Sequence, residues 1–465
     1  MLYRWLESLI IAYVALVNAT YFVLMLVGYF ALRKKSDAFS PKDIDVLLKS
    51  PFVPSVSVLA PAYNEAATIR DSVRSMLRLR HPRHEVIVIN DGSADGTLDA
   101  LIDEFRLYRS SRVALAEIPT AAVRGVYESR DPIPLVVIDK ANGGKADALN
   151  CGINYARNDL LAAVDADSII ERDALLQISR PFLERPEDTM AVGGIIRVAN
   201  DCVVEHGAVV AVKTPGNWLA RFQIVEYLRA FLAGRTALSF ANCLLVISGA
   251  FGMFRRKLVV EMGGYRVDTM GEDMELVIRI HRYCRERHIP CRVAFISDSV
   301  CWTEVPESRR VLQRQRIRWQ RGCAECMIFH KRLIGNVRFG SVGLLGMPYF
   351  LICEIFGPFV ELTGYLITAA GLTLQWIPLS SALLFFVVSV LFGLLLSVTS
   401  VLFEELTICK YPNPRDVARL LLAGLLENLG YRQVLLLWRV RALFQVLAKK
   451  QRSWGEMERR GFQRV

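Results

Sequence analysis

The feature that most constrains this chain is an uncharged, strongly apolar stretch near its start, Ser8–Leu32. About 20 apolar residues in a helix span the hydrocarbon core of a bilayer, so this stretch predicts a transmembrane helix. It is longer than the apolar core of a signal peptide and lacks a clear cleavage site. Arg33–Lys35 follow it, whereas only Arg4 precedes it. The positive-inside rule therefore predicts an external N-terminus and places the residues after the helix in the cytoplasm.

Composition shows that the chain is not membrane-embedded throughout. Of its 465 residues 53% are hydrophobic, yet 22% are charged, and the formal net charge is +11. These values exclude a disordered chain, a collagen and a disulfide scaffold. Its ten cysteines are scattered, which is typical of reduced core cysteines in a reducing compartment. A soluble domain joined to a membrane part fits the composition best.

Two further apolar stretches, Gly343–Leu372 and Trp376–Phe403, predict two more membrane spans. The first carries Glu354 and Glu361, which lie seven residues apart and so on one helix face. Carboxylates inside a membrane usually face a bundle interior or an aqueous path. They therefore indicate either the wall of a polymer channel or packing against basic helices at the membrane surface.

A fourth stretch, Leu420–Trp438, is rich in Leu and Val but contains Glu427 and Arg432. Each charge would cost about 2.5–3.5 kcal/mol at the centre of a bilayer, which outweighs the gain from the apolar residues. The stretch therefore predicts a helix that lies in the membrane interface. With three spans, the basic C-terminal residues would stay on the cytoplasmic side.

Between about residues 50 and 300, strand-length apolar runs alternate with helical patterns, which predicts an α/β domain with a mostly parallel sheet. Ligands bind such sheets at the carboxyl ends of the strands. The predicted strands are Ser55–Ala60, Glu85–Asn90, Leu135–Ile138 and Leu160–Asp165, and the predicted helices are Ala66–Arg80, Asp95–Arg109 and Lys145–Arg157.

Neither common glycine-rich nucleotide motif follows these strands. GxGxxG is absent after all of them, and Gly144-Lys145 does not complete a P-loop, because Asp139 and Ala146 occupy the required first Gly and final Ser or Thr positions. A nucleotide would have to be bound in another way.

Two acidic motifs end or begin predicted elements. Asp165-Ala166-Asp167 closes an apolar strand, where both carboxylates could reach one hard cation such as Mg²⁺ or Mn²⁺. Gly271-Glu272-Asp273 stands at the head of a helical pattern. Taken singly, each motif is equally compatible with capping of an element, since acids stabilise helix N-termini.

The stretch Arg309–Arg338 holds nine Arg or Lys residues against one acid, Glu325. Within it, Gln315-Arg316-Ile317-Arg318-Trp319 combines arginine forks, which suit phosphate oxygens, with an indole face that suits a sugar. A helix on the membrane surface is the alternative interpretation. Nucleic acid is not expected as a partner, because the stretch directly precedes a membrane span.

Five motifs follow one another along the chain: Pro61–Glu65, Asn90–Ser93, Asp165–Asp167, Gly271–Asp273 and Gln315–Trp319. Taken in this order, they resemble those of the family 2 glycosyltransferases. More narrowly, they are similar to the processive membrane synthases of cellulose, chitin, hyaluronan and poly-β-1,6-N-acetylglucosamine, and the layout is closest to the last group. The resemblance covers roughly residues 50–330, and the flanking membrane helices fit it.

This resemblance implies a GT-A fold, a nucleotide-sugar donor, a Mg²⁺ or Mn²⁺ cofactor and a role for each matching residue. Asp273 would be the catalytic base, Asp167 would ligate the metal, and Asp91 would contact the base of the nucleotide. The other donor-binding residues would be Pro61, Tyr63, Glu65, Lys145, Asp165, Gln315, Arg316 and Arg318. The acceptor-binding residues would be Gly249, Ala250, Phe251, Glu272 and Trp319.

Ser453-Trp454-Gly455 resembles the gating element of chitin and hyaluronan synthases. Glu456 follows it, where those synthases usually have Thr, so a tail anchored at the interface is the alternative. Because the tail after Trp438 is short, we expect no appended cyclic-di-GMP domain. The resemblance therefore leaves such regulation to a small membrane or cyclic-di-GMP-responsive accessory subunit.

The sequence thus predicts a multi-pass protein of the bacterial inner membrane with a cytoplasmic catalytic domain. The resemblance implies an inverting, processive enzyme that polymerises UDP-N-acetylglucosamine or another UDP-hexose onto a growing polysaccharide and passes the product across the bilayer. A non-processive transferase acting on a lipid carrier, and an idle scaffold or receptor subunit, are the alternatives. The predicted domains are 1–35 (transmembrane helix), 50–305 (GT-A domain), 306–340 (interfacial helices with the Gln-Arg-x-Arg-Trp motif), 343–403 (two transmembrane helices) and 404–465 (interfacial helix and basic tail).

Overall fold

The computed structural model describes residues 2–34, 41–411 and 413–448. These residues form two compact units. The first, the helical unit, contains the described residues up to Lys34, Thr214–Cys243 and those from Pro306 onward. The second, the sheet unit, contains the described residues from 41 to Lys213 and Leu244–Val305. Residues 214–243 thus group with the helical unit, although the sequence places them in the GT-A domain; the functional division into five domains stays a prediction.

The sheet unit is built from short, mostly buried strands. They are β1 (Val56–Ala62), β2 (His84–Asp91), β3 (Leu107–Arg109), β4 (Val123–Ser129), β5 (Leu135–Lys140), β6 (Leu160–Val164), β7 (Ser168–Ile170), β8 (Thr189–Val198), β9 (Val203–Glu205), β10 (Ala208–Ala211), β11 (Phe251–Arg255) and β12 (Arg292–Thr303). Ten of them form one sheet in the order β3-β4-β5-β2-β1-β6-β11-β8-β12-β7, and β9 pairs only with β10.

The sheet is mixed, which corrects the expectation of a mostly parallel one. Neighbouring strands β5, β2, β1 and β6 are parallel, as the βαβ pattern predicts. However, β11 runs antiparallel to both β6 and β8, and β4 runs antiparallel to β3 and β5. β11 follows a long excursion of the chain, so no crossover helix fixes its direction.

The helices of the sheet unit flank these strands or connect them. They are α2 (Pro41–Lys49), α3 (Ile69–Leu77), α4 (Thr97–Phe105), α5 (Lys145–Tyr155), α6 (Ala174–Glu184), α9 (Arg256–Glu261) and α10 (Glu272–Glu286). The α-helices of the helical unit are α1 (Leu2–Lys34), α7 (Trp218–Tyr227), α8 (Arg235–Phe240), α11 (Arg309–Phe329), α12 (Met347–Tyr349), α13 (Gly357–Thr373), α14 (Leu379–Phe386), α15 (Phe392–Thr407), α16 (Pro414–Leu426) and α17 (Tyr431–Leu447).

The predicted helix Asp95–Arg109 is wrong at its end. Helix α4 stops at Phe105, and Arg106 adopts a left-handed conformation with φ 50°. The chain then pairs with β4 as strand β3. A left-handed residue ends a helix because its carbonyl and its successor leave the helical path.

Helix α5 lies close against the parallel strands, and a glycine makes this approach possible. A Cβ atom on Gly152 would lie 2.8 Å from the Cδ1 atom of Ile89 and 3.2 Å from the Cδ2 atom of Leu59. Both side chains are buried in the sheet core. The tight packing fixes α5 on β1 and β2, and so fixes where its first residue, Lys145, is presented.

Three helices of the helical unit are long and apolar enough to cross a membrane: Trp5–Arg33, Val342–Thr373 and Leu379–Thr407. They coincide with the three stretches predicted from the sequence. The fourth stretch is two helices, α16 and α17, bent by 58°, which together could form one more span. The single interfacial helix expected over 420–438 is therefore broken, at residues 427–430, where Gly430 has φ 109°.

The two glutamates of the second span are ion-paired. Glu354 lies 2.7 Å from Arg439, and its carboxylate also accepts a hydrogen bond from the Tyr21 hydroxyl at 2.9 Å. Glu361 lies 3.6 Å from Arg432. Since both arginines belong to α17, the contacts favour packing against a basic helix over a channel wall.

Two histidines of the sheet unit are held neutral by burial. His281 is fully buried, with its Nε2 atom 2.9 Å from the Leu244 carbonyl oxygen and its Nδ1 atom 2.8 Å from an Arg285 guanidinium nitrogen. Burial, and then the charge of Arg285, lower the pKa of His281 to about 3. His81 is also buried, and burial lowers its pKa to about 3.

These depressed pKa values predict acid sensitivity. At pH values between about 3 and 6.5, a histidine is protonated in the unfolded chain but stays neutral in the folded protein. The free energy of unfolding therefore falls as the pH drops from 6.5 towards 3. Each of the two histidines contributes a slope of up to about 1.4 kcal/mol per pH unit. Thermal unfolding of the detergent-solubilised protein between pH 6.5 and 5 should show a shallower slope in His281→Gln. The exposed residue His288 provides the control, and an equal change in His288→Asn would contradict this account.

Candidate active site

The carboxyl ends of the parallel strands bring the predicted polar residues to one edge of the sheet. Strand β2 ends at Asp91 and β5 at Lys140, and these two residues are direct neighbours in the strand register. Strand β6 ends at Val164, so Asp165 follows at the same edge. Parallel strands place their last residues together, which is why motifs far apart in sequence meet here.

The carboxylate of Asp91 is the anchor of the loop that leads into α5. Asp91 is buried and accepts a hydrogen bond from Lys140 Nζ at 2.6 Å. It also accepts backbone N–H bonds from Gly143 at 3.0 Å and Gly144 at 2.8 Å, and a hydrogen bond from the side-chain amide of Asn142 at 3.2 Å. The acid that the resemblance assigns to the nucleotide base thus also holds the glycine loop in place.

Lys140 is a fully buried cation shared by two acids. Its Nζ atom lies 2.6 Å from Asp91 and 2.6 Å from Asp147. Burial by itself lowers the pKa of Lys140, but the hydrogen bonds and charges of Asp147 and Asp91 raise it above the ordinary value. The sequence analysis missed Lys140 and Asp147. The available signal was the charged pair Asp139-Lys140 at the end of an apolar strand.

Replacing this cation should destabilise the protein strongly. Lys140→Met leaves the carboxylates of Asp91 and Asp147 buried without a counter-charge, which should cost about 3–5 kcal/mol of unfolding free energy. Thermal or denaturant unfolding of the full-length protein in detergent measures this. The control Lys257→Met removes an exposed lysine 4.0 Å from Glu261 and should change stability by less than about 0.5 kcal/mol. Equal effects of the two substitutions would refute the anchoring role of Lys140.

A second cluster brings together residues from four separate segments. Lys145, the first residue of α5, donates from Nζ to an Asp165 carboxylate oxygen and, at 3.2 Å, to the Gly249 carbonyl oxygen. The same Nζ lies 3.9 Å from a carboxylate oxygen of Glu272. Burial alone lowers the pKa of Lys145, but the charges of Asp165 and Glu272 outweigh it and raise the pKa.

Asp273 joins this cluster through the loop before β11. Its Oδ2 atom accepts the Gly249 backbone N–H at 3.0 Å. A Cβ atom on Gly249 would lie 2.9 Å from Lys145 Nζ and 3.5 Å from Asp273 Oδ2, so a side chain here would press on the Lys145 ammonium group. Ala250 accepts the Asp165 backbone N–H at 3.4 Å, and Phe251 starts β11 opposite Val164. The predicted base, donor and acceptor residues of the sheet unit therefore converge.

Asp167 lies two residues after Asp165, directly before the first residue of β7. It is buried, and its Oδ1 atom accepts the Ser168 hydroxyl at 3.4 Å. Within residues 2–34, 41–411 and 413–448 there is no group of three or more His, Cys, Asp or Glu side chains placed to hold a metal ion. Carboxylate oxygens still suit Mg²⁺ or Mn²⁺, which commonly take only one or two protein ligands and fill the rest with substrate phosphates and water. Asp167 and Asp165 fit that pattern.

The predicted nucleotide-pocket loop follows β1 and is tied to the loop after β2. The Asn64 N–H donates to the Ser93 hydroxyl at 3.0 Å, and the Glu65 N–H donates to the Thr97 hydroxyl at 2.9 Å. Tyr63, between them and β1, is 48% exposed, which leaves its ring available to a ligand. Pro61 lies within β1 opposite Ile89 of β2. Ser93 belongs to the Asn90–Ser93 motif, whereas Thr97 extends the set beyond the residues singled out by sequence.

The Gln-Arg-x-Arg-Trp motif belongs to the helical unit and lies on α11. The Ser308 hydroxyl caps this helix by accepting the Val311 N–H at 3.3 Å. Gln315 and Arg318 are partly buried, whereas Trp319 is 38% exposed. The predicted gating residues Ser453, Trp454 and Gly455 lie outside the described residues.

The family of the chain follows from comparison with known sequences. The sequence model of the family described as Glycosyl transferase family group 2 matches residues 160–403, more than half of the chain. The chain belongs to this family. The model described as Glycosyl transferase family 2 matches residues 57–261, which hold the nucleotide-pocket, Asp91 and Asp165–Asp167 motifs. The predicted enzyme class, a glycosyltransferase, is thereby confirmed.

Two curated relatives are synthases of the same polysaccharide. The poly-beta-1,6-N-acetyl-D-glucosamine synthase of Staphylococcus epidermidis is 27% identical over 310 residues, covering 66% of this chain and 63% of that protein. The synthase of the same name from Staphylococcus aureus strain COL is 28% identical over 315 residues, covering 67% of this chain and 63% of that protein. The glycosyltransferase thus spans just under two thirds of the length of these relatives.

A solved structure confirms the fold. The mannosyltransferase PcManGT from Pyrobaculum calidifontis, in complex with GDP-Man and Mn²⁺, aligns with a TM-score of 0.57 at 19% sequence identity. The alignment covers 95% of this chain and 100% of that one. The predicted class, an α/β GT-A core accompanied by helices apolar enough to cross a membrane, is therefore correct.

Proposed function

We propose that this glycosyltransferase is an inverting, processive synthase that transfers N-acetylglucosamine from UDP-N-acetylglucosamine to the end of a growing polysaccharide. The observation that carries the proposal is the convergence of Asp273, Gly249, Lys145 and Asp165 at the carboxyl edge of the sheet. It places a carboxylate, a cation and a side-chain-free loop together. A sugar transfer needs these three elements: a proton acceptor, a stabiliser of negative charge, and space for the acceptor.

The reaction assigns a task to each group. The acceptor hydroxyl oxygen forms a bond to the anomeric carbon while the bond from that carbon to the diphosphate oxygen breaks. The hydroxyl proton passes to the Asp273 carboxylate, which acts as general base. The nucleoside diphosphate leaves with the electron pair, and Lys145 supports its negative charge electrostatically. One carboxylate base suffices, because a single displacement with inversion forms no covalent enzyme intermediate.

Asp167, with Asp165 beside it, would hold the divalent cation. When bound, Mg²⁺ or Mn²⁺ neutralises charge on the leaving diphosphate. The Lys145–Asp165 ion pair keeps the Asp165 carboxylate at the sheet edge, where donor oxygens would complete the coordination.

The remaining motif residues divide between the two substrates. The uridine of the donor would be bound by Pro61 near the end of β1, by Tyr63 and Glu65 in the loop that follows, and by Asp91. Gln315 and Arg318 would bind the diphosphate. On the acceptor side we propose the following residues: Gly249, Ala250, Phe251, Glu272 and Trp319.

The polymer product and the membrane location rest on two supports. The curated relatives are named as synthases of poly-beta-1,6-N-acetyl-D-glucosamine. The chain has three helices able to span a bilayer, or up to four if α16 and α17 form one bent span. We place the protein in the bacterial inner membrane with a cytoplasmic catalytic domain, passing the polymer across the bilayer, with a small membrane or cyclic-di-GMP-responsive subunit as partner.

Removing the base tests the assignment. The full-length protein in nanodiscs, given UDP-N-acetylglucosamine and Mn²⁺ or Mg²⁺, should release UDP and form polymer. Asp273→Asn should lower the rate by at least about 100-fold, because general base catalysis is lost. The control Asp298→Asn changes an exposed aspartate and should leave the rate unchanged. Undiminished turnover of Asp273→Asn would remove Asp273 from the reaction.

Product size separates the proposal from its alternatives. A processive synthase extends one chain many times before it releases that chain. It therefore yields long chains even when most enzyme molecules have not yet released a product. A product of one sugar on a lipid carrier would show a non-processive transferase instead. Donor binding by calorimetry without UDP release would show an idle scaffold.

A further inference from the structure

The motif residue Arg316 is held inside the helical unit by an acid from another helix. Only 5% of Arg316 is exposed, and its guanidinium lies 2.9 Å from a carboxylate oxygen of Glu226 on α7. The two residues are 90 positions apart in the sequence. Burial alone lowers the pKa of Arg316, but the charge of Glu226 outweighs it and raises the pKa.

The same guanidinium lies against the ring of Trp319. Its central carbon is 4.3 Å from the ring centroid, within the range of a cation–π contact. Arg316 and Trp319 are three residues apart on α11, so the helix places them side by side. Tyr227, next to Glu226, has its ring centroid 6.3 Å from that of Trp319. Helix α7 therefore supplies both the acid for Arg316 and a ring beside Trp319.

Glu226 is itself fixed by a second donor. The Tyr431 hydroxyl donates to the Glu226 carboxylate at 3.4 Å, and the Tyr431 ring packs on Phe222 at a centroid distance of 4.9 Å. Glu226 thus joins α7, α11 and α17. A buried guanidinium needs such a fixed counter-charge, because desolvation otherwise disfavours it.

These contacts restrain the partly exposed ring of Trp319. Trp319 is 38% exposed although its neighbour Arg316 is buried. The exposed part of the indole is available to stack on a sugar ring. Because Glu226 holds Arg316 against the ring, the ion pair restrains the orientation of the indole.

We propose that Glu226 is a positioning residue for the acceptor sugar: its carboxylate fixes Arg316 against Trp319 and so orients the indole on which the acceptor stacks. The inference rests on the proposed polymer synthesis and deepens it. Arg316 then supports the acceptor side of the reaction and is not a donor ligand, in contrast to the role that the sequence resemblance implies for it.

The test separates donor binding from polymer formation. Full-length Glu226→Gln and Arg316→Met are assayed in nanodiscs with UDP-N-acetylglucosamine for UDP release, polymer yield and the donor KM. Polymer formation should fall about tenfold in both, because a displaced acceptor reacts poorly, while the donor KM stays within about twofold. Glu226→Asp, which keeps the charge, should recover part of the loss. The double variant should be no worse than Arg316→Met alone, since both act through one contact.

A matched control comes from the same unit. Glu427 is buried and pairs with Arg229 at 2.6 Å, and the Arg229 guanidinium also donates to the Ser397 hydroxyl at 2.9 Å. Glu427→Gln therefore removes a comparable ion pair at a different place. It should change stability without changing the rate of polymer formation per folded enzyme molecule, whereas Glu226→Gln should lower that rate.

Three results would overturn the inference. A donor KM that rises about tenfold in Arg316→Met would make Arg316 a donor ligand. Polymer formation by Glu226→Gln equal to that of the wild type would remove Glu226 from the reaction. A wild-type protein that forms no polymer would overturn both this inference and the proposed function, and only the first two results leave the proposed function intact.

Discussion

The buried cation Lys140 is the interaction on which the candidate site depends. Its ammonium group lies 2.6 Å from each of two carboxylates, Asp91 and Asp147, inside the sheet unit. Two acids could not be buried so close together without it, because each would be desolvated and unpaired. Through Asp91 the charge fixes the backbone of the glycine loop, and through Asp147 it fixes the first turn of α5. The position of Lys145, and with it the Asp165 and Gly249 contacts, follows from that arrangement.

The helical unit also contains charged side chains among apolar residues, and these charges are paired. Its acids are matched by arginines from distant segments: Glu354 by Arg439, Glu427 by Arg229, and Glu226 by Arg316. Such pairs are costly to desolvate and costlier to break, so they specify which helices are neighbours more than they add stability. The helix that carries the Gln-Arg-x-Arg-Trp motif, α11, is joined to α7 by the Arg316–Glu226 ion pair. It is joined to α17 by a hydrogen bond that Gln320 accepts from Arg439 at 2.8 Å. Its aromatic residue Trp319 is thereby held in a defined orientation.

Local sequence patterns predicted the parts of the fold whose signals are local. The apolar run of β5 and the helix of α5 stand where their periodicity indicates. The pattern failed at Leu107–Arg109, a strand of three residues with only one buried side chain, because so short an element has no period to detect. It also failed for the direction of β11, because strand direction depends on how the chain returns to the sheet and not on the residues of the strand.

The sequence by itself determined the family and the chemical identity of the site, since the acids, the glycine loop and the Arg-Trp motif occur as short contiguous groups in a diagnostic order. Tertiary structure alone decided which of these groups touch. Asp91 contacts Lys140, which is 49 positions away in the sequence. Gly249 contacts Asp273 across 24 positions, and Arg316 contacts Glu226 across 90 positions. No periodicity within one segment reports such pairs, because each partner satisfies its own local pattern equally well with or without the other. Their distances depend on strand register and helix packing, which are properties of the whole folded unit.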